Sequence, residues 1–333
     1  MIVLGIETSC DESSAAIVRD GREILSNCIY TQEIHKKYGG IVPELASREH
    51  IKKIIPIINE ALNDANMPLD NIDVFAATYG PGLVGALLVG LTAAKSMAYA
   101  SGRIFCAVNH LEGHIAANLL VHHDVYGKFL TLLVSGGHTM LIDVIEMGKY
   151  TVLGKTLDDA AGEAFDKVAK ILGLGYPGGA AIDKLARGGN PEFIKFPRPV
   201  IKNDSIDFSY SGLKTAVAIY VRELSKDMLE EQKADIAASF QEAAIDVLVM
   251  KSKIALNKTS REILAISGGV AANSRLRKKL FEMCQTMGVR LIYPPFNLCT
   301  DNAAMIAGAA FFQRMRGEIS DMTTNAIPYQ NLA

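Results

Sequence analysis

Short apolar runs alternate with helical patterns along this chain, and the same arrangement occurs twice. The first copy consists of three strand-like segments and a helical pattern, over 1–6, 15–18, 23–28 and 45–62. The second copy begins with three further strand-like segments, over 129–134, 140–145 and 150–153, and continues into helical patterns. A three-stranded meander followed by helices, present twice, predicts two similar α/β lobes with a ligand-binding cleft between them.

Length and composition agree with two domains and exclude several classes of protein. The chain has 333 residues, whereas a single core tends to stop growing at roughly 250–300. Its 34 basic and 36 acidic residues give a net charge of −2, which argues against nucleic-acid binding through bulk positive charge. Five widely spaced cysteines exclude a disulfide scaffold and a four-cysteine zinc site, and they suit a reducing compartment.

The sequence gives no sign of export or membrane insertion. The N-terminal apolar segment has no basic region before it and reaches an acid at Glu7, so it does not resemble a secretory signal. The longest uncharged apolar stretch, over 83–94, is shorter than the ~18 residues that a membrane span needs. We therefore expect a cytoplasmic protein without a membrane span.

Two predicted strands end in the same tripeptide, Ser-Gly-Gly, at 135–137 and 267–269. Glycine lets the backbone approach a ligand closely, and successive N–H groups form an anion-binding nest. The second turn leads through Asn273 into a helical pattern, whose N-terminus would favour phosphate. Either turn alone is as well explained by the reversal of the chain after a strand. Two copies in matching places of two lobes favour a nucleotide site, although neither is a Walker loop.

A pair of histidines suggests a metal site. If the segment is helical, His110 and His114 share one helix face at i, i+4 spacing, which suits one metal ion. Glu112 lies about 200° further round the helix than His110 and cannot serve as the glutamate of a zinc protease. The best candidate for a third ligand is Asp301, which precedes a predicted helix over 303–315. A role of Asp301 as the N-cap of that helix explains it equally well.

Other polar residues leave two explanations open. Asp11 and Glu12 follow the first strand, where a carboxylate would bind a ligand or act as a general base, or would be a solvated turn residue. Basic residues cluster over 184–202 and 275–279. These clusters either offer phosphate contacts to a nucleic acid or form solvated helix faces.

Long motifs, in order and spread over nearly the whole chain, resemble the bacterial TsaD family, which forms threonylcarbamoyladenosine in tRNA and was formerly described as a sialoglycoprotein endopeptidase. The motifs are GIETSCDES from Gly5, YGGIVPELASREH from Tyr38, GPGLVGALLVG from Gly80, VNHLEGH from Val108, LLVSGGHT from Leu132, KTLDDAAGEAFDKVAKILGLGYPGG from Lys155, FSYSGLKTA from Phe208, SGGVAANSRLR from Ser267 and CTDNAAMIA from Cys299.

The resemblance implies the actin-like fold of sugar kinases and heat-shock ATPases. The N-terminal lobe would span 1–128 and be completed by about 303–333, and the C-terminal lobe would span 129–302. The implied reaction moves the threonylcarbamoyl group of threonylcarbamoyl-AMP to the exocyclic amine of an adenosine in tRNA. That adenosine lies 3′ of the anticodon in tRNAs that read codons beginning with A, and AMP is released.

The resemblance also implies roles for individual residues. His110, His114 and Asp301 look like the ligands of one divalent metal ion, which family precedent identifies as iron(II), with zinc(II) as the alternative. The residues that look like adenylate contacts are Leu133, Val134, Ser135, Gly136, Gly137, Asp166, Gly179, Asp183 and Asn273. The implied protein partners are the paralogue TsaB and the P-loop ATPase TsaE. We expect TsaB to bind the isoleucine-rich helix over 45–62 together with the glycine-rich helix that follows.

Three other functions compete with the transferase. A metalloprotease is disfavoured because Glu112 lies on the wrong side of the helix. An actin-like kinase would transfer phosphate from ATP, which the transferase does not do. A non-catalytic nucleotide-binding scaffold is disfavoured because the chain keeps both histidines and the aspartate of the implied metal site.

Overall fold

The computed structural model describes residues 1–125, 127–199 and 205–332. The chain divides into two compact units. Unit 1 comprises Met1–Gly127, Glu146–Tyr150 and Pro294–Ala333, and unit 2 comprises Lys128–Ile145 and Thr151–Tyr293.

Runs of strands and runs of helices follow one another along the chain. The strands are β1 (Ile2–Glu7), β2 (Glu12–Arg19), β3 (Glu23–Thr31), β4 (Val74–Gly80), β5 (Ile104–Asn109), β6 (Phe129–Val134), β7 (Thr139–Glu146), β8 (Lys149–Lys155), β9 (Ile263–Ser267) and β10 (Arg290–Ile292). The α-helices are α1 (Pro43–Asp64), α2 (Val84–Ser101), α3 (His110–Leu119), α4 (Ala161–Ile171), α5 (Gly178–Ala186), α6 (Ser211–Arg222), α7 (Lys226–Thr259), α8 (Ser274–Met287) and α9 (Ala303–Met315).

The two sheets have the same topology. Within the described residues, one sheet has the order β3-β2-β1-β4-β5 and the other the order β8-β7-β6-β9-β10. In the first sheet β2 is antiparallel to β1 and β3, while β4 is parallel to β1 and β5 to β4. In the second sheet β7 is antiparallel to β6, while β9 is parallel to β6 and β10 to β9. The predicted duplication of an α/β arrangement is confirmed.

The sheet of unit 1 is covered by helices on both faces. Because side chains alternate along a strand, Val3 of β1 faces α3 and α9, whereas Leu4 and Ile6 face α1 and α2. The helix α9, from the far end of the sequence, supplies one of these layers with buried residues such as Met305 and Ile306. Unit 1 therefore combines both ends of the chain in one core.

Several predicted elements differ from the structure. The helix predicted over 45–62 is α1, which extends further at both ends and continues through Pro56. The helix α7 begins after Ser225, whose side chain accepts a hydrogen bond from the Met228 N–H. The helix α5 was missed because glycine and proline dominate the sequence around it.

One helix of the described residues, α2, is long and apolar enough to cross a membrane by these two measures alone. About one third of it is buried within the protein, and its residues Leu87 and Leu91 are at most 2% exposed. Because core helices meet the same criterion, a single such segment is weak evidence for a membrane span.

Candidate metal centre and nucleotide-binding turns

The helix α3 brings two histidines to one face. It begins at His110, and the side chain of Asn109 caps it by accepting a hydrogen bond from the Leu111 N–H. The conditional prediction that this segment is helical is confirmed. His110 and His114 are both buried, and their ring centroids lie 4.7 Å apart.

Close packing of α9 on α3 brings Asp301 to these histidines. A Cβ on Gly113 would lie 2.8 Å from Ile306 Cδ1, so the absence of a side chain at Gly113 lets Ile306 of α9 pack closely on α3. Oδ1 of Asp301 lies 3.5 Å from His110 Nε2 and 3.2 Å from His114 Nε2. One potential ligand atom from each of the three residues lies within 4.8 Å of the other two. The sequence-predicted trio therefore forms one cluster in unit 1.

The alternative explanation of Asp301 is wrong. The N-cap of α9 is Asn302, whose side chain accepts a hydrogen bond from the Met305 N–H. Because the next residue performs the capping, Asp301 is left to face the two histidines. The sequence could not separate the two roles, since aspartate and asparagine are comparable N-caps.

The cluster is chemically suited to a cation. Neither ring nitrogen of His114 has a hydrogen-bond partner among the described residues, although both are buried. An unsatisfied buried polar atom costs on the order of 1–3 kcal/mol, and coordination would satisfy a nitrogen that faces the cluster. Two imidazoles and one carboxylate form a donor set that iron(II) and zinc(II) both accept. The residues present thus fit a divalent ion.

The electrostatic surroundings also favour positive charge. Burial lowers the pKa of His110, but the nearby carboxylates of Asp301 and Glu7 outweigh it and raise the pKa to about 9. Burial, together with Asp11 and Asp301, raises the pKa of Glu12 well above its usual range. Neighbouring carboxylates contribute to both pKa shifts, and a bound cation would offset their negative charge.

Glu112 points away from the histidines, as expected from its position on the helix. Its Oε1 accepts a hydrogen bond from the Tyr150 hydroxyl at 2.8 Å, and Arg316 and Gln313 also contact its carboxylate. These partners occupy the carboxylate, so Glu112 cannot activate a water at the cluster. The arrangement of a zinc protease is absent from this part of the described structure.

In unit 2, the turn after β6 presents backbone to solvent. Leu133 and Val134, at the end of β6, are fully buried. Ser135 closes the turn, since its N–H donates to the His138 carbonyl and its hydroxyl accepts from the His138 N–H. Gly136 and Gly137 are exposed.

The two Ser-Gly-Gly turns are neighbours in one sheet, which corrects the expectation that they occupy matching places of two lobes. The strands β6 and β9 are parallel, with Leu133 opposite Ser267, and both turns lie in unit 2. A Cβ on Gly268 would lie 2.4 Å from the Val134 carbonyl oxygen, so the two turns come very close. The sequence pattern could not reveal this, because repeated motifs do not specify which strands pair.

The other predicted adenylate contacts lie on three helices of unit 2. Asp166 of α4 accepts a hydrogen bond from the Gly178 N–H at 2.7 Å, beside Gly179 at the start of α5. Asp183 of α5 accepts from the Ser274 hydroxyl at 2.8 Å. Asn273, the residue before Ser274, caps the N-terminus of α8, and its side-chain amide donates a hydrogen bond to Gln241. The structure thus brings Asp166 to Gly179, and Asp183 to Asn273.

Four residues of the predicted basic clusters are paired with acids, and one member of the clusters, Lys202, lies outside the described residues. Arg275 and Lys279 both bind Glu242, and Arg198 binds Asp246. Arg187 binds Asp183. The explanation of these clusters as free phosphate contacts is therefore weakened for the paired residues.

Sequence reasoning missed Glu7, the last residue of β1. Its side chain is fully buried, and its Oε2 lies 3.0 Å from His110 Nδ1. An acid at the end of an apolar strand gives no signal that distinguishes this role from a solvated turn.

Comparison with known proteins decides the family. The family model for TsaD, described as tRNA N6-adenosine threonylcarbamoyltransferase, matches residues 23–308. The chain belongs to the TsaD family. A relative from Clostridium botulinum that is named tRNA N6-adenosine threonylcarbamoyltransferase is 52% identical to this chain. The alignment covers 98% of this chain and 96% of the relative's chain.

Solved structures agree on the fold of this TsaD chain. Component A of (R)-2-hydroxyglutaryl-CoA dehydratase from Acidaminococcus fermentans aligns with a TM-score of 0.56 and 17% identity, over 95% of this chain and 99% of that one. A ROK hexokinase from Thermus thermophilus aligns with a TM-score of 0.51 and 14% identity, over 96% and 100%. These likenesses establish the actin-like fold that the sequence predicted.

Membership of the TsaD family establishes the class of reaction. The chain is a transferase that modifies the N6 amine of adenosine in tRNA with a threonylcarbamoyl group. TsaD proteins bind a metal ion, and the cluster of His110, His114 and Asp301 is a possible site for it.

Proposed function

We propose that the donor is threonylcarbamoyl-AMP and that the acceptor is the adenosine 3′-adjacent to the anticodon in tRNAs reading codons that begin with A. The N6 amine forms a bond to the carbamoyl carbon, and the bond from that carbon to the phosphate oxygen breaks. The amine loses a proton and AMP leaves as the anion. An adenine amine is a poor nucleophile, which is why the carbonyl arrives as a mixed anhydride.

The observation that carries this proposal is the convergence of two buried imidazoles and one carboxylate in a TsaD-family chain. We assign His110, His114 and Asp301 as ligands of one divalent ion, iron(II) in preference to zinc(II) because of the family precedent. Such an ion, when bound, supplies a Lewis acid next to a carbonyl or phosphate oxygen. Three protein ligands leave coordination positions for such oxygens.

We assign the AMP part of the donor to unit 2. The exposed backbone of Gly136 and Gly137, next to Gly268, is suited to a phosphate because N–H groups there approach a ligand without steric hindrance. The N-terminus of α8 beside Asn273 adds a favourable dipole. The remaining assigned contacts are Leu133, Val134, Ser135, Asp166, Gly179 and Asp183.

Asp11 is our candidate for the group that accepts the amine proton. It is 6% exposed and lies within hydrogen-bonding reach of Glu12, whose raised pKa favours the protonated acid. With Glu12 protonated, the pair carries one negative charge on Asp11, and that carboxylate can accept the amine proton.

The outer face of α1 and α2 supports TsaB as a partner. Ile51 and Ile55 of α1 are 66% and 56% exposed, and Val84 and Leu88 of α2 are 51% and 42% exposed. Adjacent apolar residues on two packed helices suit a helix-on-helix interface. Together with TsaE, such an assembly would act in the cytoplasm and hold the tRNA, which the nearly neutral chain is poorly equipped to bind alone.

The decisive experiment combines purified chain, TsaB, TsaE, unmodified tRNA and threonylcarbamoyl-AMP, followed by mass analysis of the digested nucleosides. We expect threonylcarbamoyladenosine at one position and one AMP per modified tRNA. In a parallel reaction supplied with labelled ATP, transfer of the labelled phosphate to another molecule would indicate a kinase instead. Absence of the modified nucleoside from a reaction whose components are all folded would contradict the proposal.

A further inference from the structure

We propose that Glu7 is a positioning residue that holds the proton of His110 on Nδ1 and so leaves Nε2 to bind the metal ion. This inference rests on the metal site proposed above. It concerns a residue outside the ligand set, on the strand β1, and it explains why an acid is buried there.

The carboxylate of Glu7 is fixed on both oxygens. Oε1 accepts a hydrogen bond from the Ser9 N–H at 2.5 Å, and Oε2 accepts from the Thr78 hydroxyl at 2.6 Å. The same Oε2 lies 3.0 Å from His110 Nδ1. The side chain is 0% exposed, so water cannot replace any of these partners.

This contact selects one tautomer of the imidazole. An ionised carboxylate can only accept hydrogen bonds, so Nδ1 of His110 must be the nitrogen that carries hydrogen. In a neutral imidazole the other nitrogen then keeps its lone pair. That nitrogen, Nε2, is the one 3.5 Å from Asp301 Oδ1. The Ser9 hydroxyl, 3.2 Å from Nδ1, can donate or accept and therefore does not select the tautomer.

The second histidine has no such partner. Neither nitrogen of His114 makes a well-aligned hydrogen bond among the described residues, and the carboxylate beside its Nε2, Asp301, is itself a proposed metal ligand. The two imidazoles therefore differ: a residue outside the ligand set holds the ring of His110, but no such residue in the described structure holds the ring of His114. Outer partners of this kind typically contribute about 10- to 100-fold to metal affinity.

The test uses the full chain and zinc(II) alone, titrated in competition with a chelating dye. In Glu7→Gln the amide nitrogen can donate to Nδ1 and favour hydrogen on Nε2, so we expect affinity to fall by about 10- to 100-fold. Thr78→Val is the matched control, because Thr78 bonds the same carboxylate oxygen but does not touch the ring. It should lower the melting temperature without a comparable loss of zinc affinity.

A second measurement does not depend on any variant folding. In zinc-loaded wild-type chain with ¹⁵N-labelled histidine, NMR should show His110 with hydrogen on Nδ1 and zinc on Nε2. Zinc on Nδ1 would overturn the inference, as would equal zinc affinity in Glu7→Gln and wild type, or equal losses in Glu7→Gln and Thr78→Val. A wild-type chain that binds no zinc and no iron(II) would instead overturn the metal site itself, and the inference with it.

Discussion

Oδ1 of Asp301 lies 3.2 Å from Nε2 of His114, and the same oxygen lies 3.5 Å from Nε2 of His110. A single carboxylate oxygen therefore faces both imidazoles. It also supplies the negative charge in the ligand set, so the ability to hold a divalent ion should depend on it at least as strongly as on either histidine.

Substitution of this cluster should lower metal content. We expect Asp301→Ala and His114→Ala to bind much less than one divalent ion per chain, measured by elemental analysis after loading with iron(II) or zinc(II). His123→Ala is a suitable control, because His123 follows α3 but bonds the Leu120 carbonyl instead of the cluster. Unchanged metal content in the Asp301, His110 and His114 variants would refute the assignment.

The exposed turn after β6 should be required for nucleotide binding but not for folding. No atom outside its immediate chain neighbours lies within 4 Å of a Cβ placed on Gly137, so Gly137→Val should fold normally. Its side chain would occupy the space that a phosphate needs. We expect weaker AMP binding in calorimetry with little change in melting temperature, and normal AMP affinity would contradict this site.

Gly162→Val provides the contrasting case. A Cβ on Gly162 would lie 2.4 Å from the Ser135 carbonyl oxygen, so this change should displace the first turn of α4 and lower the melting temperature. Loss of AMP binding in that variant would report damage to the fold, whereas loss in Gly137→Val would report damage to the site alone.

Two consecutive isoleucines of α1 should respond in opposite ways to the same change. Ile55 is 56% exposed and Ile54 is 5% exposed. Ile55→Glu should remain folded but lose TsaB, because a charge in an apolar interface is costly. Ile54→Glu should unfold unit 1, because it places that charge in the core. Light scattering with and without TsaB, together with melting temperatures, distinguishes the two effects.

Self-association supplies a further check on this surface. Without TsaB, the chain should be poorly active or should associate through the same face, and Ile55→Glu should suppress the association. A monodisperse wild-type monomer with full multi-turnover activity on tRNA, and no TsaB added, would show that this face needs no partner.

Acid should remove the contribution of Glu242 to stability. Burial raises the pKa of Glu242, but hydrogen bonds from Arg275 and Lys279 outweigh it and lower the pKa from 4.5 to about 2. A lowered folded-state pKa stabilises the protein fully above the unfolded value, and the contribution disappears as pH falls through the folded value. Denaturant titrations should therefore show wild type more stable than Glu242→Gln at pH 6, with the difference shrinking between pH 5 and pH 2. A constant difference would contradict this.

Local patterns were sufficient for much of the fold. The isoleucine spacing of α1 and the apolar run of α9 follow the helical period over several turns, so both helices were predicted close to their bounds. The helix α5 has nine residues and starts with two glycines, so neither period nor propensity identifies it. The duplication of the α/β arrangement followed from the repeated meander.

Contacts between distant segments were harder to predict. His110 and His114 lie on one helix, so their shared face follows from the helical period. Asp301 reaches them only because α9 packs against Gly113, which no local pattern encodes. The role of Glu7 depends on the same tertiary contact, and the pairing of β6 with β9 decided where the two Ser-Gly-Gly turns lie. The motifs of the family, not periodicity, identified the function.

The contribution of α9 to the core of unit 1 has a consequence for biosynthesis. Because α9 is synthesised after β1 and α3, the apolar surfaces of Val3 and Val108 that α9 covers stay open to water until α9 has left the ribosome. Unit 2 contains none of α9 and can complete its core beforehand. We expect nascent chains stalled before Ala303 to present a folded unit 2 and a β1-to-α3 segment that chaperones still recognise, with metal loading possible only once Asp301 has emerged.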